Sequence, residues 1–121
     1  SAVDYIKAQR ARVVFNREVA EVMKIYDLLL APTVGIGAPN LGDEVVAVAG
    51  EQHQKLAVMP RLTRPFNLTG APTISLPCGF TSDGMPIGMQ LSGRAFDDGL
   101  VLQAAQSYES ATEWHTRRPP I

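Results

Sequence analysis

Near the start of the chain, apolar residues recur at every third or fourth position. Ala8, Ala11, Phe15, Val19, Val22, Met23 and Tyr26 form one stripe, and Lys7, Arg10, Arg17, Glu21 and Lys24 fall opposite it. This spacing predicts a helix over roughly residues 3–25, with the charges on a solvated face. Leu28-Leu29-Leu30-Ala31 follows and stops at Pro32. A short unbroken apolar run of this kind predicts a strand covered on both faces. From Thr33 to Pro60 the periodicity is lost among Gly35, Gly37, Pro39, Gly42 and Gly50. That stretch reads as a long loop, with Glu44–Gly50 weakly ordered at most.

Beyond it the pattern returns. Thr63 to Gly70 reads as a helical turn or two after Pro65, ended by Gly70. Thr73-Ile74-Ser75-Leu76 alternates and reads as a strand closed by Pro77. Ile87, Met89 and Leu91 point one way and Gly88, Gln90 and Ser92 the other. Asp83-Gly84 between them is a turn signal, so a hairpin is expected from about 73 to 93. Gly88 within it suggests that another backbone or a helix approaches closely. A last helix is expected over about 97–113, capped by Asp97 or Asp98. Its buried stripe would be Val101, Ala104, Ala105, Tyr108, Ala111 and Thr112, and it should fray into a polar tail from Trp114 to Pro120. Helix, strand, loop, hairpin and helix make an α/β layer, or part of one.

Composition narrows the class without choosing a chemistry. At 121 residues the chain has the length of one domain, and 1–121 is read as a single domain. It is 45% hydrophobic and 19% charged with a net charge of −1, so neither nucleic acid nor an anionic membrane is expected as a partner. No apolar run is long enough for a transmembrane helix, and Ser1-Ala2-Val3-Asp4-Tyr5 does not read as a signal peptide. The single cysteine, Cys78, excludes an internal disulfide and fits a cytoplasmic location.

No candidate nucleophile stands out from the residues. Cys78 lies between Pro77 and Gly79 with no histidine nearby in sequence, and reads as a small buried hydrophobe. Ser75 sits mid-strand, where packing is the simpler role. Lys7, Lys24 and Lys55 have no serine pattern beside them. His53 and His115 lack metal-ligand spacing, so no metal site is expected. Gly35-Ile36-Gly37 does not continue into a phosphate-binding loop.

The order of residues over the second half is more specific. Pro65-Phe66-Asn67-Leu68-Thr69-Gly70-Ala71-Pro72-Thr73-Ile74-Ser75-Leu76-Pro77-Cys78-Gly79-Phe80 resembles the C-terminal region of amidase-signature enzymes. So do Asp83-Gly84-Met85-Pro86-Ile87-Gly88-Met89-Gln90-Leu91 with Gly93 and Phe96-Asp97, and the ending from Tyr108 to His115 with Arg117-Arg118-Pro119-Pro120. Tyr26 to Thr33 is similar to the strand ahead of the family's variable loop.

The resemblance implies the C-terminal part of an α/β/α sandwich around a mixed sheet. It implies hydrolysis or transfer at a carboxamide carbon with no cofactor. In the family a serine forms an acyl-enzyme, a second serine in a cis peptide linkage relays the proton with a lysine, and backbone N–H groups hold the oxyanion. The family's Gly-Gly-Ser-Ser-Gly-Gly loop and preceding lysine have no counterpart here, so no catalytic residue carries over. Asn67, Thr69 and Gly70 are the expected contributors to a substrate pocket; the plainer reading is that Asn67 and Thr69 fix a local turn.

The chain is therefore expected to be a fragment, inactive alone, whose partners are a small amide substrate and the missing N-terminal half. A non-catalytic scaffold and the subunit of a split amidase are the alternatives. The wording around Phe66–Gly70 and the tail favours a general bacterial amidase over the tRNA-dependent amidotransferase type. Because a sheet cut from a larger sandwich leaves an open edge, self-association, as a dimer, is also expected.

Overall fold

The computed structural model describes residues 1–118. Pro119 and Pro120, the end of the family-like tail, lie outside the described residues. The first helix, α1, spans Ala2–Val22. Ser1 caps it in a box with Asp4: the Asp4 N–H reaches the Ser1 hydroxyl, and the Asp4 carboxylate bonds back to Ser1. The helix ends three residues before the expected boundary. Its apolar stripe is only partly used, because no residue of α1 is buried and Ala8, Ala11 and Tyr26 are exposed. Met23, just past the last turn, is buried.

Three strands make the main sheet: β1 (Leu29–Pro32), β4 (Thr73–Phe80) and β5 (Pro86–Ser92), in the order β1-β5-β4. All pairs are antiparallel, with Leu30 opposite Leu91 and Leu76 opposite Met89. The expected hairpin is present, and its turn at Gly84 has φ of 85°. Pro77 does not close β4, which continues through a bulge at Cys78 to Phe80. An outer strand tolerates a residue without an N–H, and β4 lies at the sheet's edge. Within the chain β1 is also an edge strand, not one covered on both faces, and Leu30 is 67% exposed.

The segment read as a long loop carries structure. β2 (Val45–Val48) and β3 (Glu51–Gln54) form a separate antiparallel hairpin, followed by one helical turn, α2 (Lys55–Val58). Ala49 and Gly50 join the strands with φ of 51° and 87°. Positive φ at both central positions is the geometry whose usual sequence signal is Asn-Gly or Asp-Gly. Alanine there hid the turn.

The last helix, α4 (Asp98–Ala111), packs on one face of the sheet. Leu76, Met89, Leu91 and Ala105 are buried together, with Ile74, Cys78, Ala104 and Tyr108 around them. Ala111, expected in the stripe, is exposed. Asp97 occupies the cap position but makes no side-chain capping bond. The tail does not simply fray: Trp114–Thr116 forms a short 3₁₀ turn whose indole packs against Phe80, ring centroids 6.1 Å apart, with Arg117 over both rings.

The second face of the sheet is polar. Gln90 is 2% exposed, and its amide donates to the carbonyls of Pro32 (3.1 Å) and Leu62 (2.9 Å). Ser92 is fully buried and accepts from the Thr73 hydroxyl at 2.9 Å. The Thr33 backbone does approach Gly88, its N–H donating to Gly88 O at 2.8 Å, while side-chain hydroxyls stand over the α-carbon. A Cβ there would lie 3.1 Å from Thr33 Oγ1 and 3.3 Å from Ser75 Oγ.

Candidate functional site

The Thr63–Gly70 segment is built as its sequence suggests. A helix, α3, spans Arg64–Thr69 with Pro65 in its first turn. Gly70 ends it in the left-handed conformation, φ 75°, and its N–H returns to Phe66 O at 2.8 Å. The Thr69 hydroxyl donates to Phe66 O at 3.1 Å and accepts from Ala71 N–H at 3.3 Å. Thr69 therefore shapes the turn that leads into β4. Asn67 is exposed on the outer side of α3. From α1, Arg12 Nε donates to Leu68 O at 2.6 Å and ties the two helices together.

A recess of about 400 Å³ opens between α1 and the turns around β4 and β5. Asn16 and Met23 form one wall, Thr69 and Ala71 a second, Gly93 and Arg94 a third. Of the three residues expected at a pocket, Thr69 reaches this recess; Asn67 and Gly70 are not among its lining residues. Asn16 Oδ1 is buried here without a hydrogen-bond partner among the described residues.

Arg94 was missed by sequence reasoning. Its Nε donates to Met23 O at 2.7 Å, and Nη2 donates to Tyr26 O at 3.3 Å and to Asp27 Oδ1 at 2.8 Å. A guanidinium thus meets carbonyls at the C-terminal end of α1, where a cation is also favoured by the helix dipole. Gly93 beside it is required by space: a Cβ would stand 2.6 Å from Val101 Cγ2.

A second polar feature lies on the sheet's other face. The hydroxyls of Thr33 and Ser75 are 2.7 Å apart across β5. Among the described residues no hydrogen bond joins this hydroxyl pair to a lysine or histidine that could take its proton. Cys78 is half-buried against the core of Leu76, Met89 and Leu91. His53 lies 3.7 Å from Glu51 at the β2–β3 hairpin, and His115 is exposed in the final turn. Among the described residues, no three His, Cys, Asp or Glu side chains gather as metal ligands. In the β4–β5 turn the Asp83 carboxyl is held below its ordinary range, chiefly by the hydrogen bond from Thr81.

Comparison with known proteins decides the family. The sequence profile of the family described as Amidase matches residues 1–102. The chain belongs to the Amidase family. An amidase from Pseudomonas putida is 41% identical over 122 residues, covering all of this chain and 26% of that protein. A glutamyl-tRNA(Gln) amidotransferase subunit from Methanosarcina mazei is 40% identical over 116 residues, covering 96% of this chain and 23% of that protein.

Solved amidase structures share the fold. One described as the crystal structure of an amidase has a TM-score of 0.87 at 32% identity, over 92% of this chain and 25% of that one. A bacterial aryl acylamidase of the amidase-signature family has a TM-score of 0.78 at 26% identity, over 99% and 26%. The chain thus spans about a quarter of the length of the amidase relatives it matches. No helix among the described residues is long and apolar enough to cross a membrane.

Proposed function

We propose that this chain is the C-terminal structural quarter of an amide hydrolase, one that cleaves a small carboxamide through a serine acyl-enzyme whose serines and lysine lie outside it. The observation that carries this reading is a contrast. The whole chain is 41% identical to an amidase, yet among the described residues no serine or cysteine side chain hydrogen-bonds to a lysine or histidine. Such a pairing is one common way in which a protein activates a nucleophile, and the relay described for this family ends on a lysine. The chain's own contribution is then framework: β4, β5 and α4 extend the sheet and cover one face of it.

In this reading Asn67, Thr69 and Gly70 border the substrate pocket, with Thr69 acting by fixing the backbone through Phe66 O and Ala71 N. The isolated chain is inactive and associates with itself as a dimer. We favour a general bacterial amidase in the cytoplasm over the amidotransferase type, on the Phe66–Gly70 wording and the Trp114-His115 ending. The two kinds of relative stand at 41% and 40% identity, so overall similarity does not contribute to that preference.

A chimera tests the assignment. This chain is grafted in place of the matching quarter of the Pseudomonas putida amidase and assayed for ammonia release from simple aliphatic and aryl amides. The graft is expected to hydrolyse amide, while the same enzyme with the quarter deleted does not. Amide hydrolysis by the isolated chain would overturn the placement of the chemistry outside it.

A further inference from the structure

The chain contains two Asp-Gly sequences, Asp83-Gly84 and Asp98-Gly99. In any such pair the glycine N can attack the aspartyl Cγ. A C–N bond forms, water leaves, and a five-membered succinimide results. Water then adds back at either carbonyl. One product is the original aspartate; the other is isoaspartate, in which the backbone runs through the side chain and is one carbon longer. No oxidant or cofactor is needed, and glycine offers no side chain to obstruct the attack.

The two sites differ in what holds them. Asp98 opens α4, so reaching the ring geometry there requires the helix to unwind its first turn. Asp83 and Gly84 sit in the turn between β4 and β5, both exposed. Around this turn Thr81 makes an unusual share of the bonds. Gly84 N–H donates to Thr81 O at 3.0 Å, Thr81 N–H donates to Met85 O at 2.8 Å, and Met85 N–H donates to the Thr81 hydroxyl at 2.9 Å. That hydroxyl in turn donates to the Asp83 carboxylate. The nucleophile and the electrophile of the ring closure are thereby both held by one residue.

We infer that Asp83–Gly84 is the chain's site of isoaspartate formation and that the Thr81 hydroxyl is the clasp that restrains it. Thr81 is a positioning residue here: its hydroxyl engages the Asp83 carboxylate while its carbonyl accepts the Gly84 N–H. The same bond favours the ionised carboxylate, a poorer electrophile than the protonated acid. Once the clasp is lost and isoaspartate forms, the added carbon removes the Gly84-to-Thr81 bond. The hairpin then loses its closure beside the Phe80–Pro86 pair. This inference stands independently of the proposed amide chemistry.

Thr81→Val removes the hydroxyl at nearly constant shape, and Thr81→Ser keeps it. The three proteins are aged side by side at neutral pH and 37 °C, and isoaspartate is quantified at each Asp-Gly by peptide mapping and enzymatic methylation. The valine variant is expected to accumulate it at Asp83 roughly five-fold faster than the parent, the scale of one lost hydrogen bond. The serine variant should match the parent, and Asp98 should be unchanged in all three. Equal rates at Asp83 in parent and valine variant would overturn the inference. So would a serine variant that ages like the valine one, or a rise at Asp98 as large as that at Asp83, which would report general unfolding in place of a released clasp.

Discussion

Arg94 joins parts of the chain that are far apart in sequence. Its guanidinium binds two carbonyls beyond the last turn of α1 and the Asp27 carboxylate, while its backbone continues from β5. Arg94→Ala should therefore lower stability by about 1–2 kcal/mol, the scale of hydrogen bonds made by a partly exposed charged group. Arg94→Lys should recover only part of that, because one ammonium lacks the planar fork that reaches three acceptors. Urea midpoints of the three proteins test both statements; no loss on Arg94→Ala would remove the clamp from the account. Nothing in the sequence announces this role, since its partners lie some seventy positions upstream and two of them are backbone atoms. Thr69 was legible because its partners are local: Phe66 and Ala71 are within three residues of it. Residue-level chemistry was readable where it closes on nearby backbone and hidden where it acts across the fold.

Among the elements, the β4–β5 hairpin was clear from alternation plus Asp-Gly, whereas β2–β3 was hidden by its four-residue strands and an Ala-Gly turn. Alternation needs length to be counted, and a turn with two positive φ values is recognised by asparagine, aspartate or glycine. The buried stripe of α4 was legible in Val101, Ala104, Ala105 and Tyr108, but how closely the helix seats on the strand end was not. Gly93 appeared in the sequence only as part of the family-like wording, yet Val101 of α4 fills the space a side chain there would need. Gly93→Ala is expected to cost about 1–3 kcal/mol by forcing the helix off the strand end. Combining it with Val101→Ala should cost less than the sum of the two single changes, since each relieves the other's fault. Strictly additive losses in a double-mutant cycle would mean that the contact does not govern how α4 is seated.

For the whole molecule, the exposed apolar surface is the dominant fact. Val3, Ile6, Val13 and Val14 lie open on α1, and Leu30 lies open on β1. Both outer strands of the three-stranded sheet carry unpaired backbone groups among the described residues. Sedimentation velocity across micromolar concentrations is expected to find a dimer, and a species that stays monomeric throughout would count against that expectation. The same sheet also fixes a sequence of events. β5 meets β4 across a short turn, which closes in about 1–10 μs in isolated hairpins. Its other neighbour, β1, must return from a point before the β2–β3 hairpin and α3, and a distant pairing of that kind is slow. Until β1 arrives, the Gln90 amide lacks the Pro32 carbonyl it will bond. The docking of β1 is then expected to be the slow step of folding, and a Leu30→Ala change that left the refolding rate untouched would count against it. It is also the event that completes the hydrogen bonds of the buried Gln90 amide.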